Sequence, residues 1–464
     1  MLIRFRGVLA TGVLMLALGV APTPASASSA APHKATGPGC DATRPAVASY
    51  AGGVVLSPQP RRAPIPCETV VGTTSEAADV GVLGSHAVFY APLLLNTSTP
   101  PQNTLEGPEE VARTRDGGAR WTGLSSGGPT TGGLVPPWMS IDPQTRRIWF
   151  ATAISSGVAV PSACGARISW SDDGGDHWQT NPLVGCPAEG AEKVLEGPAP
   201  AHAARPNGYP HVVYYCANYA DSLSLPLYCY KSLDGGRTFS STGGFPDPTP
   251  PPSCTNYRHR ARAGIVGPDG VLYFPTNLCG DLGVAVSRDE GATWQNLPTG
   301  ITGVTDSMYV ASIAVDVDGN LYLAYLGQSG LPQVTISRDR GRSWSSPITV
   351  AAPGVTRSMR VAITASRRGV IALAYLGTSD GQNYNGYITE SLNALSRRPV
   401  LWSASVNDPA APLVYGSDPT TFGDRLLYAT DVVTPDGGAW AGFHCARTTA
   451  CPGQRVGVVG NLRW

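Results

Sequence analysis

The chain has 464 residues, 42% of them hydrophobic, enough to bury a sizeable core, with charged residues at only 14% and acids and bases balanced at 33 each. A formal net charge of zero leaves no basic field for nucleic acid and no acidic tail. Its 55 glycines and 42 prolines recur at regular intervals instead of forming one tract, which predicts many short strands joined by hairpins and little helix.

At the amino end, Arg4 and Arg6 precede an apolar run from Val8 to Val20, and Ala25-Ser-Ala27 follows it. This is the pattern of a secretory signal over residues 1–27, cleaved after Ala27. The run is too short for a stable anchor, no later segment is long and apolar enough to span a membrane, and the first cysteine, Cys40, is too distant for a lipid anchor. Residues 28–39 then read as a flexible leader and 40–464 as one domain, released outside the cytoplasm and expected to be a monomer. Ten cysteines in an exported chain predict disulfides, and their order suggests five local pairs. These are Cys40 with Cys67, Cys164 with Cys186, Cys216 with Cys229, Cys254 with Cys279, and Cys445 with Cys451. No gap has zinc-ligand spacing, and neither a metal nor a cofactor is expected.

Five copies of one short motif follow in chain order. They are Thr114-Arg-Asp116-Gly-Gly118-Ala-Arg-Trp121, Ser171-Asp-Asp173-Gly-Gly175-Asp-His-Trp178, Ser232-Leu-Asp234-Gly-Gly236-Arg-Thr-Phe239, Ser287-Arg-Asp289-Glu-Gly291-Ala-Thr-Trp294 and Ser337-Arg-Asp339-Arg-Gly341-Arg-Ser-Trp344. Each answers the needs of a tight hairpin: a hydroxyl and an Asp to bond turn amides, a Gly for positive φ, and an aromatic to cover the sheet. Asp116, Asp173, Asp234, Asp289 and Asp339 are therefore structural, since identical residues in every repeat cannot all face one active site. Their separations of 57, 61, 55 and 50 residues each accommodate a four-stranded sheet, and that period predicts an all-β propeller.

Between the motifs one phrase recurs: an inner strand, a turn, an aromatic-rich strand, then a strand running into the motif. Ser312–Val315, Leu321–Tyr325 and Val334–Ser337 show it, and Asp316-Val-Asp318-Gly-Asn320 reads as the hairpin turn inside it, without the closing acid of a calcium loop. Ser391-Leu-Asn393 stands where a sixth, decayed motif is expected, and Leu426–Thr430, Ala439–Phe443 and Arg455–Val459 supply one more set of strands. The count is seven blades, or six if the last unit pairs with the stretch from Val47 to Leu56.

The motif resembles the Asp-box, or BNR, repeat, whose best known enzymes are the sialidases. That resemblance implies an axial pocket ringed by residues preceding the inner strands, with three arginines around a substrate carboxylate and a Tyr nucleophile activated by a Glu. On this chain the residues offered for those roles are Glu196 as activating carboxylate, Arg205, Arg262, Arg360 and Arg425 as guanidinium groups, and Tyr384, or alternatively Tyr387, as nucleophile. Sialidases open with Arg-Ile-Pro, and the nearest stretch here is Arg62-Ala-Pro-Ile-Pro66. The chain also lacks a Gly-x-Ser-x-Gly elbow, a Cys-x-x-Cys pair and a phosphate loop. Two functions follow as expectations: a secreted sialidase-like glycoside hydrolase acting on extracellular glycans, or a noncatalytic propeller that binds a glycan, a cell-surface polymer or a protein.

Overall fold

The computed structural model describes residues 39–74, 78–84, 87–92, 110–125, 138–154, 165–184, 188–189, 193–219, 227–245, 257–258, 264–304, 311–416, 430–433, 438–445 and 456–464. The expected signal at 1–27 and the leader as far as residue 38 lie outside them, as do Arg262, Arg425, Cys164, Cys186, Cys254 and Cys451.

Among the described residues every regular element is a strand. An amino-terminal segment holds β1 (Gly39–Cys40), β2 (Val47–Tyr50), β3 (Val54–Val55) and β4 (Ile65–Thr74). Antiparallel sheets follow along the chain. The first is β5 (Ala78–Leu83), β6 (Ala87–Pro92), β7 (Glu110–Thr114) and β8 (Thr122–Ser125), and the second is β9 (Trp138–Ile141), β10 (Ile148–Ile154), β11 (Gly165–Ser171) and β12 (Gln179–Val184). The third has β13 (Ala188–Glu189), β14 (Leu195–Gly197), β15 (Val212–Tyr219), β16 (Leu227–Ser232) and β17 (Ser240–Gly244). The fourth has β18 (Tyr257–Arg258), β19 (Ile265–Val266), β20 (Leu272–Leu278), β21 (Asp281–Ser287) and β22 (Gln295–Ile301). The fifth is β23 (Ser312–Val315), β24 (Leu321–Leu326), β25 (Pro332–Ser337) and β26 (Ile348–Thr349). The sixth is built on β27 (Arg357–Ala365), β28 (Ile371–Thr378), β29 (Asn383–Ser391) and β30 (Val400–Ser405), with β31 (Val414–Tyr415) beside β29. The last contains β32 (Thr430–Val433), β33 (Ala439–Cys445) and β34 (Val456–Arg463).

The innermost strands form a closed ring, with β5 against β9, β14 against β19, β19 against β23, β23 against β27, β27 against β32 and β32 against β5. The Ser140 hydroxyl on β9 donates to the Val194 carbonyl ahead of β14 at 2.7 Å and completes the circuit. The chain is thus an all-β propeller of four-stranded sheets. Its apolar core is divided into wedges between neighbouring sheets, for example Tyr322, Leu373 and Tyr375 between the fifth and sixth and Trp149, Ile168 and Tyr215 between the second and third. Because sheets pack on both faces of the second strand, β24 and β28 are buried almost throughout, and their sequences read as unbroken apolar runs.

The amino-terminal segment closes the ring. Strand β4 pairs with β34 as the outer strand of the last sheet, while β2 pairs with β30 and extends the sixth. The carboxyl-terminal unit therefore closes on Ile65–Thr74, and the stretch beginning at Val47, its partner in the alternative six-blade count, joins the sheet before it. A Pro66 inside β4 masks its strand pattern in the sequence. Disulfide Cys40–Cys67 ties β1 to β4, and Cys216–Cys229 bridges directly opposed residues of β15 and β16. Cys279 and Cys445 are also disulfide-bonded.

All five motifs share one hydrogen-bond pattern. The hydroxyl of Thr114, Ser171, Ser232, Ser287 or Ser337 donates to the Asp two residues on at 2.7–2.9 Å. The same oxygen accepts the N–H of the second glycine position, four residues on, at 2.8–2.9 Å. The Asp also accepts the N–H four residues further on, as in Asp234 from Thr238 at 2.9 Å. Each motif is in addition a docking point for the preceding sheet. Thr69 donates to the Gly118 carbonyl at 2.8 Å, Arg113 to Gly174 at 2.7 Å and Arg147 to Gly235 at 2.7 Å, while Lys231 reaches Glu290 at 2.5 Å. At the decayed sixth position Asn393 keeps only part of the pattern, its Oδ1 accepting the Val400 N–H at 2.9 Å.

Candidate functional site

The ring of inner strands encloses a central cavity of about 820 Å³. Its wall comes from β5, β9, β14, β19, β23 and β27 with the turns that follow them, so its lining is set by strand ends from six sheets. Much of that wall is aliphatic, including Val80, Ile141, Leu195 and Val266. Gly197 fits here because any Cβ would lie 2.4 Å from Val266 on the next sheet, which accounts for the small residue closing Leu195-Glu-Gly197.

Several polar groups on and just behind the wall are committed to neighbours. Asp79 on β5 is buried and accepts the Met139 N–H of β9 at 2.7 Å and the Lys193 ammonium at 3.1 Å, linking three sheets. Asp142, just past β9, is also fully buried. It accepts the Tyr209 hydroxyl at 2.6 Å, His211 Nδ1 lies 2.8 Å away, and its other oxygen takes the Gln144 N–H at 2.9 Å. Burial pushes the Asp142 pKa up, but the bonds from His211, Tyr209 and Gln144 outweigh it and hold the carboxyl well below its usual range. The Tyr209 hydroxyl, buried and bonded to that carboxylate, is pushed the other way, so it is no ionised nucleophile.

Glu196 on β14 is the exception among the lining groups. Its Oε2 is fully buried without a hydrogen-bond partner among the described residues. Burial raises its pKa well above the carboxylate range, the Asp142 charge adds to the rise, and Lys193 partly offsets it. Burial thus favours the protonated form of this carboxyl, which can both donate and accept a hydrogen bond.

Of the residues offered by the sequence, Glu196 lines the cavity. Arg205 is exposed on the connection 198–211, away from that lining. Arg360 stands at the bulge of β27 between Met359 and Val361, at φ 49° and half-buried. Tyr384, at the start of β29, is fully buried with Leu413 and Val414, and its hydroxyl has no partner among the described residues. Arg262 and Arg425 lie outside the described residues. Asp316 bonds Asn320 and the Tyr322 hydroxyl of its own hairpin and the Gly369 N–H in the β27–β28 turn of the next sheet, at 2.8–3.0 Å. Among the described residues no group of three or more His, Cys, Asp or Glu is placed to hold a metal, and no helix is long and apolar enough to cross a membrane.

Sequence reasoning missed Asp79, Lys193, Asp142, Tyr209 and His211. Lys193, one of three lysines in the chain, carried the only usable signal.

No protein-family model matches the chain, and no curated protein matches it. Among solved structures, the NanB sialidase of Streptococcus pneumoniae is similar over 83% of this chain and 68% of its own, at 13% identity and a TM-score of 0.43. Virginiamycin B lyase of Staphylococcus aureus is similar over 86% and 99%, at 12% identity and 0.47. A lectin of Aleuria aurantia, crystallised with a fucose-containing disaccharide, is similar over 73% and 99%, at 12% identity and 0.44. At these identities and scores the likenesses say nothing about what this chain binds.

Proposed function

We propose that the chain is an extracellular propeller that recognises a glycan in its central cavity. The observation that carries this reading is Glu196, whose Oε2 is buried without a hydrogen-bond partner among the described residues, on the wall of a largely aliphatic cavity of about 820 Å³. Sparse polar groups on apolar walls, in a cavity of this size, suit a ligand of one or two sugar rings. The repeat's resemblance to the Asp-box points to the same ligand class, and the amino-terminal signal pattern with the disulfides supports an extracellular location. One blade per sheet gives seven blades, and the chain acts as a monomer.

A second reading, glycoside hydrolysis of the sialidase type, is favoured by one feature. Two carboxyls on one wall, Glu196 and Asp142, are pushed in opposite directions by their surroundings, the division that an acid and a charge-stabilising partner require. In that reading Glu196 serves with Arg205, Arg262, Arg360, Arg425 and Tyr384. The burial of Tyr384 beside Leu413 and the position of Arg205 away from the lining favour binding over hydrolysis. The test is a glycan array with the purified mature chain, run beside hydrolysis of a fluorogenic sialoside and a panel of aryl glycosides. Saturable binding with no turnover supports the binding reading. Turnover lost in Arg360→Ala replaces it with the enzyme reading, and silence in both assays refutes glycan recognition.

A further inference from the structure

Glycan recognition, on which this inference rests, leaves the class of sugar open, and the charges on the cavity wall select it. Lys193 is already held by Asp79 at 3.1 Å. The other cations on the lining, Arg146 and Arg367, are exposed at the turns following β9 and β27. What remains along the wall is the Asp142 and Asp316 carboxylates and the His211 ring, all bonded to their own neighbours, Glu196, the hydroxyls of Ser140, Ser312, Thr364 and Ser366, and apolar side chains including Trp138.

We propose that the cavity binds a neutral, hydroxyl-rich sugar and excludes a carboxylated one, with the Glu196 carboxyl bonded to a ligand hydroxyl. A hydroxyl donates and accepts, so it satisfies a carboxyl in either orientation, and the apolar wall takes the C–H faces of the ring. A sugar carboxylate would instead face the Asp142 carboxylate with the nearest ammonium already engaged, leaving like charges close together in a desolvated site.

The experiment measures titration calorimetry, with quenching of tryptophan fluorescence as a second readout from Trp138, for matched pairs of probes. Lactose is compared with 3′-sialyllactose, and methyl glucoside, galactoside and fucoside with methyl glucuronide. Binding of at least one neutral probe, with its acidic counterpart roughly tenfold weaker or more, is the expected result. Glu196→Leu should then weaken the neutral probe by roughly tenfold or more, and Glu196→Gln, which keeps a donor and an acceptor, by less. Circular dichroism of each variant separates lost binding from lost folding. Preference for the acidic member overturns this inference and leaves glycan recognition standing, as does neutral-sugar binding indifferent to Glu196→Leu in a folded variant. Silence of every probe overturns both.

Discussion

Replacing Gly236 by Ala tests how the sheets are locked together. Gly236 sits in the third motif at φ +89°, and an added Cβ would lie 2.7 and 2.8 Å from two carbons of the Trp149 ring on the preceding sheet. That ring cannot retreat, because it is fully buried with Trp170 and Tyr209 at centroid distances of 6.0 Å. Left-handed backbone costs an alanine about 1 kcal/mol. Forcing a methyl into a packed contact costs about 1–3 kcal/mol more. The expected loss is therefore about 2–4 kcal/mol. Gly208 is the control, at φ +74° with nothing within 4 Å of its would-be Cβ. Gly208→Ala carries the backbone cost alone, about 1 kcal/mol. Equilibrium urea unfolding followed by circular dichroism compares the two, and Gly236→Ala combined with Trp149→Phe should lose less than the sum of the single variants because the smaller ring makes room. Equal losses for Gly236→Ala and Gly208→Ala would refute the claim that the motif is an inter-sheet contact as well as a turn.

Three further outcomes follow from the same structure. Burial raises the Glu68 pKa from its ordinary 4.5 to about 7, so the folded state keeps a proton that the unfolded chain releases, and stability falls as pH rises from 4.5 through 7; Glu68→Gln should remove a slope of about 1.4 kcal/mol per pH unit there, measured by urea unfolding from pH 4.5 to 8. His444 is buried and its pKa is lowered by desolvation to about 3, so stability is full above 6.5 and is lost as pH falls toward 3, and His444→Gln should flatten acid unfolding by about 1.4 kcal/mol per pH unit in that window. Arg340 holds φ +63° at a position where three other motifs have glycine, so Arg340→Gly should change stability by less than about 1 kcal/mol, whereas β-branched Arg340→Val should cost about 2 kcal/mol by thermal unfolding.

What the sequence made legible is what the chain builds locally. Ser232, Asp234 and Gly236 bond one another within four residues, so their spacing is the structure, and Cys216 and Cys229 face each other across one hairpin. The cavity was not legible for the opposite reason. Asp79, Lys193 and Met139 meet only because ring closure brings three sheets together, across separations of about 60 and 114 residues that no local pattern records.

The turns also show why a repeat can look more functional than it is. The motif aspartates have lowered pKa values, as active-site carboxylates can, yet at Asp339 the leading cause is the Ser343 hydroxyl in its own turn, and at Asp173 the His177 N–H. In both cases the charge is spent on folding the hairpin. Glu196 differs on every count: its pKa is displaced upward, the leading cause is burial and not a bonding partner, and one oxygen has no partner among the described residues. That contrast between five aspartates bonded within their own turns and Glu196 on the cavity wall directs the search for a ligand to the centre of the ring.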